Sequence, residues 1–219
     1  ETYSNMNHSM TSILRGAALA VAFSAAAWLP PAGARGAALG QWRAYMAYHD
    51  VQQVCEAGRY LFVRASNSLY QYNADDQSIV TYDKVNGLSD TYITAMAWNA
   101  QARRLVVVYD NSNIDLVATD GDVANIPDLY LKAMTEDKTV NSITVSGNHA
   151  YLATNFGVVK VNVATAEISE TYILGIAVAR VGLASGNIYV RSASGEVLCA
   201  ALSDNLIDRN SWAAATSYP

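Results

Sequence analysis

Charge is scarce in this sequence. Lysine, arginine, aspartate and glutamate supply 15% of its 219 residues, against roughly 25% in an average soluble protein. The charges sum to -5, with no basic patch and no block of one sign. That excludes the electrostatic footprint of a nucleic-acid binder and a long charged tail. Cysteine is limited to Cys55 and Cys199, far apart in sequence. They are expected to be free buried thiols, because a disulfide needs its Cα atoms within about 7 Å; the sequence does not settle whether they pair. The three histidines, His8, His49 and His149, are scattered and give no zinc-ligand spacing with two cysteines. The nucleophile elbow G-x-S-x-G, the zinc helix H-E-x-x-H and the phosphate loop are all missing.

Long apolar runs are missing too, except near the start. Arg15 precedes an apolar stretch from Gly16 to Leu29, closed by Pro30 and Pro31 and followed by Ala32, Gly33 and Ala34. A basic residue, an apolar core and small residues in that order read as a secretory signal peptide. The stretch falls short of the roughly 20 apolar residues of a membrane-spanning helix. Translation is expected to start at Met6 or Met10, and the mature chain between Arg35 and Leu39. Residues 1–38 are thus read as signal peptide and upstream residues, and 39–219 as the folded part. No cysteine lies near the cleavage site, which argues against a lipid anchor there.

What is plentiful is the apolar residue, 52% of the chain, and tyrosine, 14 in number. After residue 50 apolar and polar residues alternate between turn signals, the pattern of β-strands. Four strand-turn-strand units stand out: Tyr60–Ala65 with Ser68–Tyr72, Arg104–Tyr109 with Asn113–Val117, His149–Thr154 with Gly157–Val161, and Asn187–Ser192 with Glu196–Ala200. Leu69, Ile114, Val158 and Val197 mark them at a period of about 40–45 residues, the repeat of a propeller blade. Leading strands are expected near Val51–Val54, Ile93–Trp98, Val140–Val145 and Val178–Leu183. Trailing strands are expected near Ser78–Tyr82, Val123–Ile126, Glu167–Tyr172 and Ile207–Trp212. A short helix is expected within Ile126–Met134, with Asp128 near its start, bridging the second and third blades. The fold class is therefore all-β: a β-propeller of about four blades, each a four-stranded antiparallel meander. An open sandwich of similar strands is the lesser alternative, since it needs no such register. Propellers close with 4–8 blades, and these are read as the first blades of a larger ring of about seven, in a longer protein.

Candidate chemistry is thin. The acidic pairs Asp75-Asp76, Asp120 with Asp122, and Glu136-Asp137 all fall where turns are predicted, and turns favour aspartate for backbone reasons. The run Asp110-Asn-Ser-Asn-Ile-Asp115 offers several oxygens to calcium but lacks the glycine and closing glutamate of an EF-hand loop, so it reads better as a hairpin turn. Trp42, Tyr45, Tyr48, Tyr82, Tyr92 and Trp98 could stack on sugars, or fill the wedges between blades, the preferred reading. His49 beside Asp50 reads as a turn residue. No catalytic, cofactor-binding or metal-binding residue is assigned, no cofactor is expected, and ligand-binding residues stay undetermined.

Certain segments resemble known propellers. Asp83-Lys-Val-Asn-Gly-Leu-Ser-Asp90 followed by Ile93, and Thr154-Asn-Phe-Gly-Val-Val-Lys-Val161, resemble the inter-blade and hairpin segments of two-component-regulator propellers. Gly40–His49, Ser66–Asn73, Tyr109–Asp115 and Ala150–Gly157 resemble the N-terminal propeller of the PorZ family, of the type IX secretion system of Bacteroidetes. The match runs in order from Leu39 to Trp212 and weakens at Ser192-Ala-Ser-Gly-Glu196. The resemblance implies a cell-surface, outer-membrane protein with two propellers and a C-terminal domain. It would work with the sortase that attaches secreted cargo to anionic lipopolysaccharide, and would deliver that lipopolysaccharide. Glycolipid binding belongs to the C-terminal part, which this sequence does not contain, so no binding residue carries over.

Two readings of function follow. The first is a non-catalytic scaffold, with the sortase and other attachment-complex proteins as partners and no nucleic acid. The alternative is the periplasmic ligand-sensing propeller of a hybrid two-component histidine kinase, which shares the motifs around Asn86 and Asn155. An enzyme, such as a polysaccharide lyase on a propeller, has no acid, base or metal constellation to support it.

Overall fold

A computed structural model describes residues 49–66 and 68–219. The expected signal peptide, His8, Trp42, Tyr45, Tyr48 and most of the Gly40–His49 segment lie outside the described residues, as does Asn67.

Four four-stranded antiparallel sheets follow one another along the chain. The first holds β1 (Val51–Ala57), β2 (Tyr60–Ala65), β3 (Ser68–Asn73) and β4 (Ile79–Tyr82), and the second β5 (Ile93–Asn99), β6 (Arg104–Tyr109), β7 (Ile114–Ala118) and β8 (Val123–Ile126). The third holds β9 (Val140–Ser146), β10 (His149–Thr154), β11 (Gly157–Asn162) and β12 (Glu167–Ile173), and the fourth β13 (Val178–Ala184), β14 (Asn187–Ser192), β15 (Val197–Ala201) and β16 (Ala213–Ala214). Each strand pairs only with its neighbours in sequence, so every sheet is a meander. This is the arrangement of a partial β-propeller of about four blades, as the repeat predicted. The bridging helix, α1, is a single turn, Asp128–Leu131, anchored by buried Leu129.

One expected strand is displaced. Ile207–Trp212 is not a strand: Arg209–Ser211 form a 3-10 turn, and only Ala213–Ala214 pair with β15. Local polar chemistry wins there. The Asp208 carboxylate accepts the Asn210 N–H at 2.9 Å, and buried Trp212 donates its indole N–H to the Leu206 carbonyl at 3.0 Å. A curled segment satisfies both better than an extended one. The leading strands β1, β5, β9 and β13 also run one to three residues past their expected ends.

The core is divided among the wedges between consecutive blades. Phe62, Leu69, Met96 and Val107 fill the first wedge, Val108, Leu116, Leu152 and Val159 the second, and Tyr151, Tyr172, Val190 and Trp212 the third. The second and third blades are therefore apolar on both faces, and burying those faces against neighbours holds the array together.

Register explains how the blades join. Every leading strand skips one residue against its partner at the same place, at Gln52, Thr94, Asn141 and Ala179. A bulge of this kind disrupts the ladder and increases twist, and at β5 and β13 side chains of the preceding blade bond the backbone at the bulge and just beyond it. Arg64 donates to the carbonyls of Ile93 at 2.6 Å and Thr94 at 2.9 Å. Asn141 donates to the Val178 carbonyl, Ser142 to that of Ala179 and Thr144 to that of Val181, at 2.8, 2.8 and 2.6 Å. Gln53 brackets Met96, giving its amide to the carbonyl at 2.6 Å and accepting the N–H at 3.2 Å.

Glycine is required at one hairpin. Gly157 has φ +150°, and a Cβ there would sit 2.0 Å from the Tyr172 carbonyl oxygen, on backbone that cannot give way.

Candidate functional site

The first wedge opens at its rim into a cavity of about 580 Å³ lined by Arg59, Tyr60, Trp98, Arg103 and Asp120 among others. Trp98 is held there by its place near the end of β5, where it stacks on buried Phe62 with ring centroids 5.6 Å apart and planes 25° apart. Tyr60 opens β2, and the Arg59 guanidinium lies 5.0 Å over its ring. Arg59 also donates to the Tyr60 hydroxyl at 3.0 Å and contacts Asp75 at 3.5 Å. Those interactions, the tyrosine hydroxyl first, raise the guanidinium pKa above its ordinary value. Arg103 enters from the β5–β6 turn with a left-handed φ of 55°, and Asp120 from the β7–β8 turn. The cavity thus presents aromatic side chains, two cations and a carboxylate at an open mouth. It sits where the next wedge is clasped: Asn99 donates across the second wedge to the carbonyls of Gly147 and His149, and the register puts Ala57, with no polar group, at the same place in the first.

The structure distributes the other candidates. The acidic pairs occupy separate turns, each engaged locally. Asp76 accepts the Ser78 N–H at 2.9 Å, and Ser78 holds its carboxyl below the ordinary value. Asp120 accepts the Asp122 N–H at 3.2 Å, and Asp122 reaches Arg104 at 3.9 Å. Asp137 accepts both the hydroxyl and the N–H of Thr139, with Asn155 donating to its second oxygen, and the three together lower its pKa. Among the aromatics, Tyr82 and Trp98 fill the first wedge around Phe62, whereas Tyr92 is 59% exposed on the inter-blade loop. His49 is exposed, and its carbonyl accepts the Ser66 hydroxyl. Cys55 and Cys199, on the first and fourth blades, are unpaired thiols, and burial pushes that of Cys55 up. No group of three or more His, Cys, Asp or Glu that could hold a metal occurs among the described residues.

The Asp110–Asp115 run is a hairpin in which the side-chain oxygens of Asn111, Asn113 and Asp115 are already engaged. Asn111 donates to Asp90, and its own side-chain oxygen takes the Asn113 N–H at 3.0 Å. Asp115 is fully buried. Its carboxylate accepts four hydrogen bonds: from the Ser89 N–H and hydroxyl and the Asn125 amide at 2.8 Å each, and from the Tyr109 hydroxyl at 2.6 Å. Burial, reinforced by Asp115, pushes the Tyr109 hydroxyl far above its ordinary pKa. Ser89 belongs to the Asp83–Asp90 segment, so Asp115 ties the inter-blade loop to the second blade. Sequence reading missed this hub. The signal was an acidic residue inside the apolar strand Ile-Asp-Leu-Val, where a lone carboxylate must find buried donors.

Comparison with known proteins fits this geometry. Residues 61–213 match the family described as the type IX secretion PorZ N-terminal β-propeller domain. The structure resembles PorZ of Porphyromonas gingivalis, described as an essential bacterial surface component of the type IX secretion system, with a TM-score of 0.70 and 30% identity. The match covers 78% of this chain and 23% of that one. It also resembles the extracellular domain of a protein described as a hybrid two-component system from B. thetaiotaomicron, with a TM-score of 0.57, 16% identity and coverage of 71% and 21%. AztD of Citrobacter koseri gives a TM-score of 0.55 at 14% identity, with coverage of 70% and 44%. At those identities the last two likenesses show the fold alone. No curated protein matches the chain. With the family matched across three of its blades and most of a fourth, the chain belongs to the PorZ N-terminal β-propeller family of the type IX secretion system.

Proposed function

We propose that this chain is a non-catalytic scaffold, the first propeller blades of an exported surface component of the type IX secretion system. It stands at the outer face of the outer membrane, where it supports delivery of anionic lipopolysaccharide to the cargo-attaching sortase. The observation that carries the reading is the family match over residues 61–213, joined to 30% identity with a PorZ known as a surface component. The scattered acidic turns favour a scaffold over an enzyme, since general acid-base work needs carboxylates converging on one substrate. No helix among the described residues is long and apolar enough to cross a membrane. The sensor alternative has only a fold-level likeness behind it.

The test is affinity purification of the full-length protein from its own host, with and without residues 39–219. Recovery of the sortase with the intact protein, and release of unattached cargo on deletion, is expected. Normal cargo attachment after deletion, or an intact protein that never co-purifies with the sortase, would overturn the reading.

A further inference from the structure

The cavity at the rim of the first wedge exists because a clasp is missing. In the second wedge Asn99 closes the matching place, donating to the Gly147 and His149 carbonyls at 3.0 and 3.3 Å. Ala57 stands at that register position in the first wedge and has no side-chain group to donate. A space of about 580 Å³ opens there, within the roughly 300–1,000 Å³ of small-molecule sites.

Its walls hold polar atoms that the fold does not use. The Trp212 indole N–H is engaged by the Leu206 carbonyl, whereas that of Trp98 has no acceptor among the described residues. The Arg103 guanidinium likewise makes no hydrogen bond or ion pair among them. One Asp120 oxygen takes the Asp122 N–H at 3.2 Å, and the other accepts nothing from the described residues. Phe62 covers one face of the Trp98 indole, with ring centroids 5.6 Å apart, which leaves the other face toward the cavity.

Charge does not select an ion here. Asp75 stands 3.5 Å from Arg59, and Asp120 offsets Arg103, so the mouth has no surplus of either sign to concentrate a counter-ion. Unused donors, an unused acceptor and a bare aromatic face, without net charge, are the complement of a sugar. Each sugar hydroxyl both donates and accepts, and the C–H groups of the ring form an apolar face to lay on an indole.

We propose that this cavity binds a neutral pyranose unit of a glycan, stacked on Trp98 and held by Arg103 and Asp120. The planar guanidinium donates to two adjacent hydroxyl oxygens, and the free Asp120 oxygen accepts from a third hydroxyl. The indole N–H, at the edge of its ring, takes a hydroxyl of the adjoining sugar unit. The mouth is open, so the bound ring need not be a chain end. The site is separate from the glycolipid binding that the family resemblance assigns to the C-terminal part, and its failure would leave the scaffold role untouched.

The experiment is isothermal titration calorimetry of the full-length protein with neutral oligosaccharides of glucose, galactose and mannose, and with a glucuronate oligosaccharide of the same length. At least one neutral series is expected to bind, more tightly than the glucuronate. Arg103→Gly suits the left-handed φ of 55° at that turn and removes a charged donor, so it is expected to weaken binding about tenfold or more. Trp98→Ala is expected to abolish it. Trp98→Phe, which keeps a ring on Phe62 if the alanine variant folds poorly, is expected to weaken it severalfold. Tighter binding of the glucuronate would overturn the proposal in favour of an anion site. So would the failure of every neutral series to bind, or neutral-sugar binding that Arg103→Gly and Trp98→Phe both leave unchanged, since the sugar would then sit elsewhere in the protein.

Discussion

Replacing Asp115 tests the logic of the buried polar hub directly. In Asp115→Ala the Ser89 N–H, the Ser89 and Tyr109 hydroxyls and the Asn125 amide lose their acceptor together. Two partners retain other outlets. Asn125 also donates to the Asn113 side chain at 2.9 Å and to the Ile114 carbonyl at 3.0 Å, and Ser89 stands at a loop where water has access. The Tyr109 hydroxyl does not: the residue is 1% exposed and Asp115 is its hydrogen-bond acceptor. An unsatisfied buried group costs about 1–3 kcal/mol. The upper part of that range, about 2–3 kcal/mol, applies here, since the carboxylate organises donors from three segments. For a domain of this size each kcal/mol moves Tm by about 2–4 °C, so a fall of about 4–12 °C is expected. Asp115→Asn keeps the shape but turns an N–H toward donors, and should cost about half as much. Thermal unfolding followed by circular dichroism gives the global number. Trypsin cleavage at Lys84, exposed in the tethered loop, reports the local one. In Tyr109→Phe the lone orphan is removed, so Asp115→Ala should cost less in that background. A Tm within about 2 °C of the parent in Asp115→Ala, below the shift expected from 1 kcal/mol, would refute the claim that the hub holds the loop to the blade.

Three further outcomes are expected. Gly157→Ala drives a Cβ onto the Tyr172 carbonyl; forcing the hairpin apart should cost about 3 kcal/mol or more, read as a lower denaturation midpoint, and an unchanged midpoint would show that the hairpin relaxes freely. Arg64→Ala removes two hydrogen bonds from the bulge of β5 and should destabilise by about 1.5–3 kcal/mol, with Arg64→Lys intermediate; equal stability of all three would deny the bulge its role in joining blades. Burial opposes ionisation of Glu170, yet Lys160 at 2.9 Å and the Tyr172 hydroxyl at 2.8 Å hold its pKa below the ordinary 4.5. Its contribution, about 0.5–1 kcal/mol for so exposed a pair, is present above that ordinary value and lost as pH falls through the depressed one. The stability gap between the parent and Glu170→Gln should therefore narrow as pH falls below that ordinary value; a gap that acid leaves unchanged would refute the assignment.

The sequence by itself determined the repeat. Its strand-turn-strand units became β2–β3, β6–β7, β10–β11 and β14–β15, because alternation and turn residues act over a few neighbours and need no tertiary information. The same locality gave the single-turn helix at Asp128. It failed at Ile207–Trp212, where apolar residues suggested a strand but Asp208 and the Trp212 indole closed local hydrogen bonds instead. Only the tertiary structure decided what lies between blades. Arg64 reads as an ordinary strand residue until the bulge at Thr94 turns two carbonyls toward it. Asp115 reads as a hairpin acid until Ser89, 26 positions earlier, arrives beside it. Tyr60, Trp98, Arg103 and Asp120 share a cavity only because two blades meet there. Periodicity fixes each blade, since its cause is short-ranged. The joints depend on how twisted sheets stack, and a register written along one strand says nothing of the neighbour it will face.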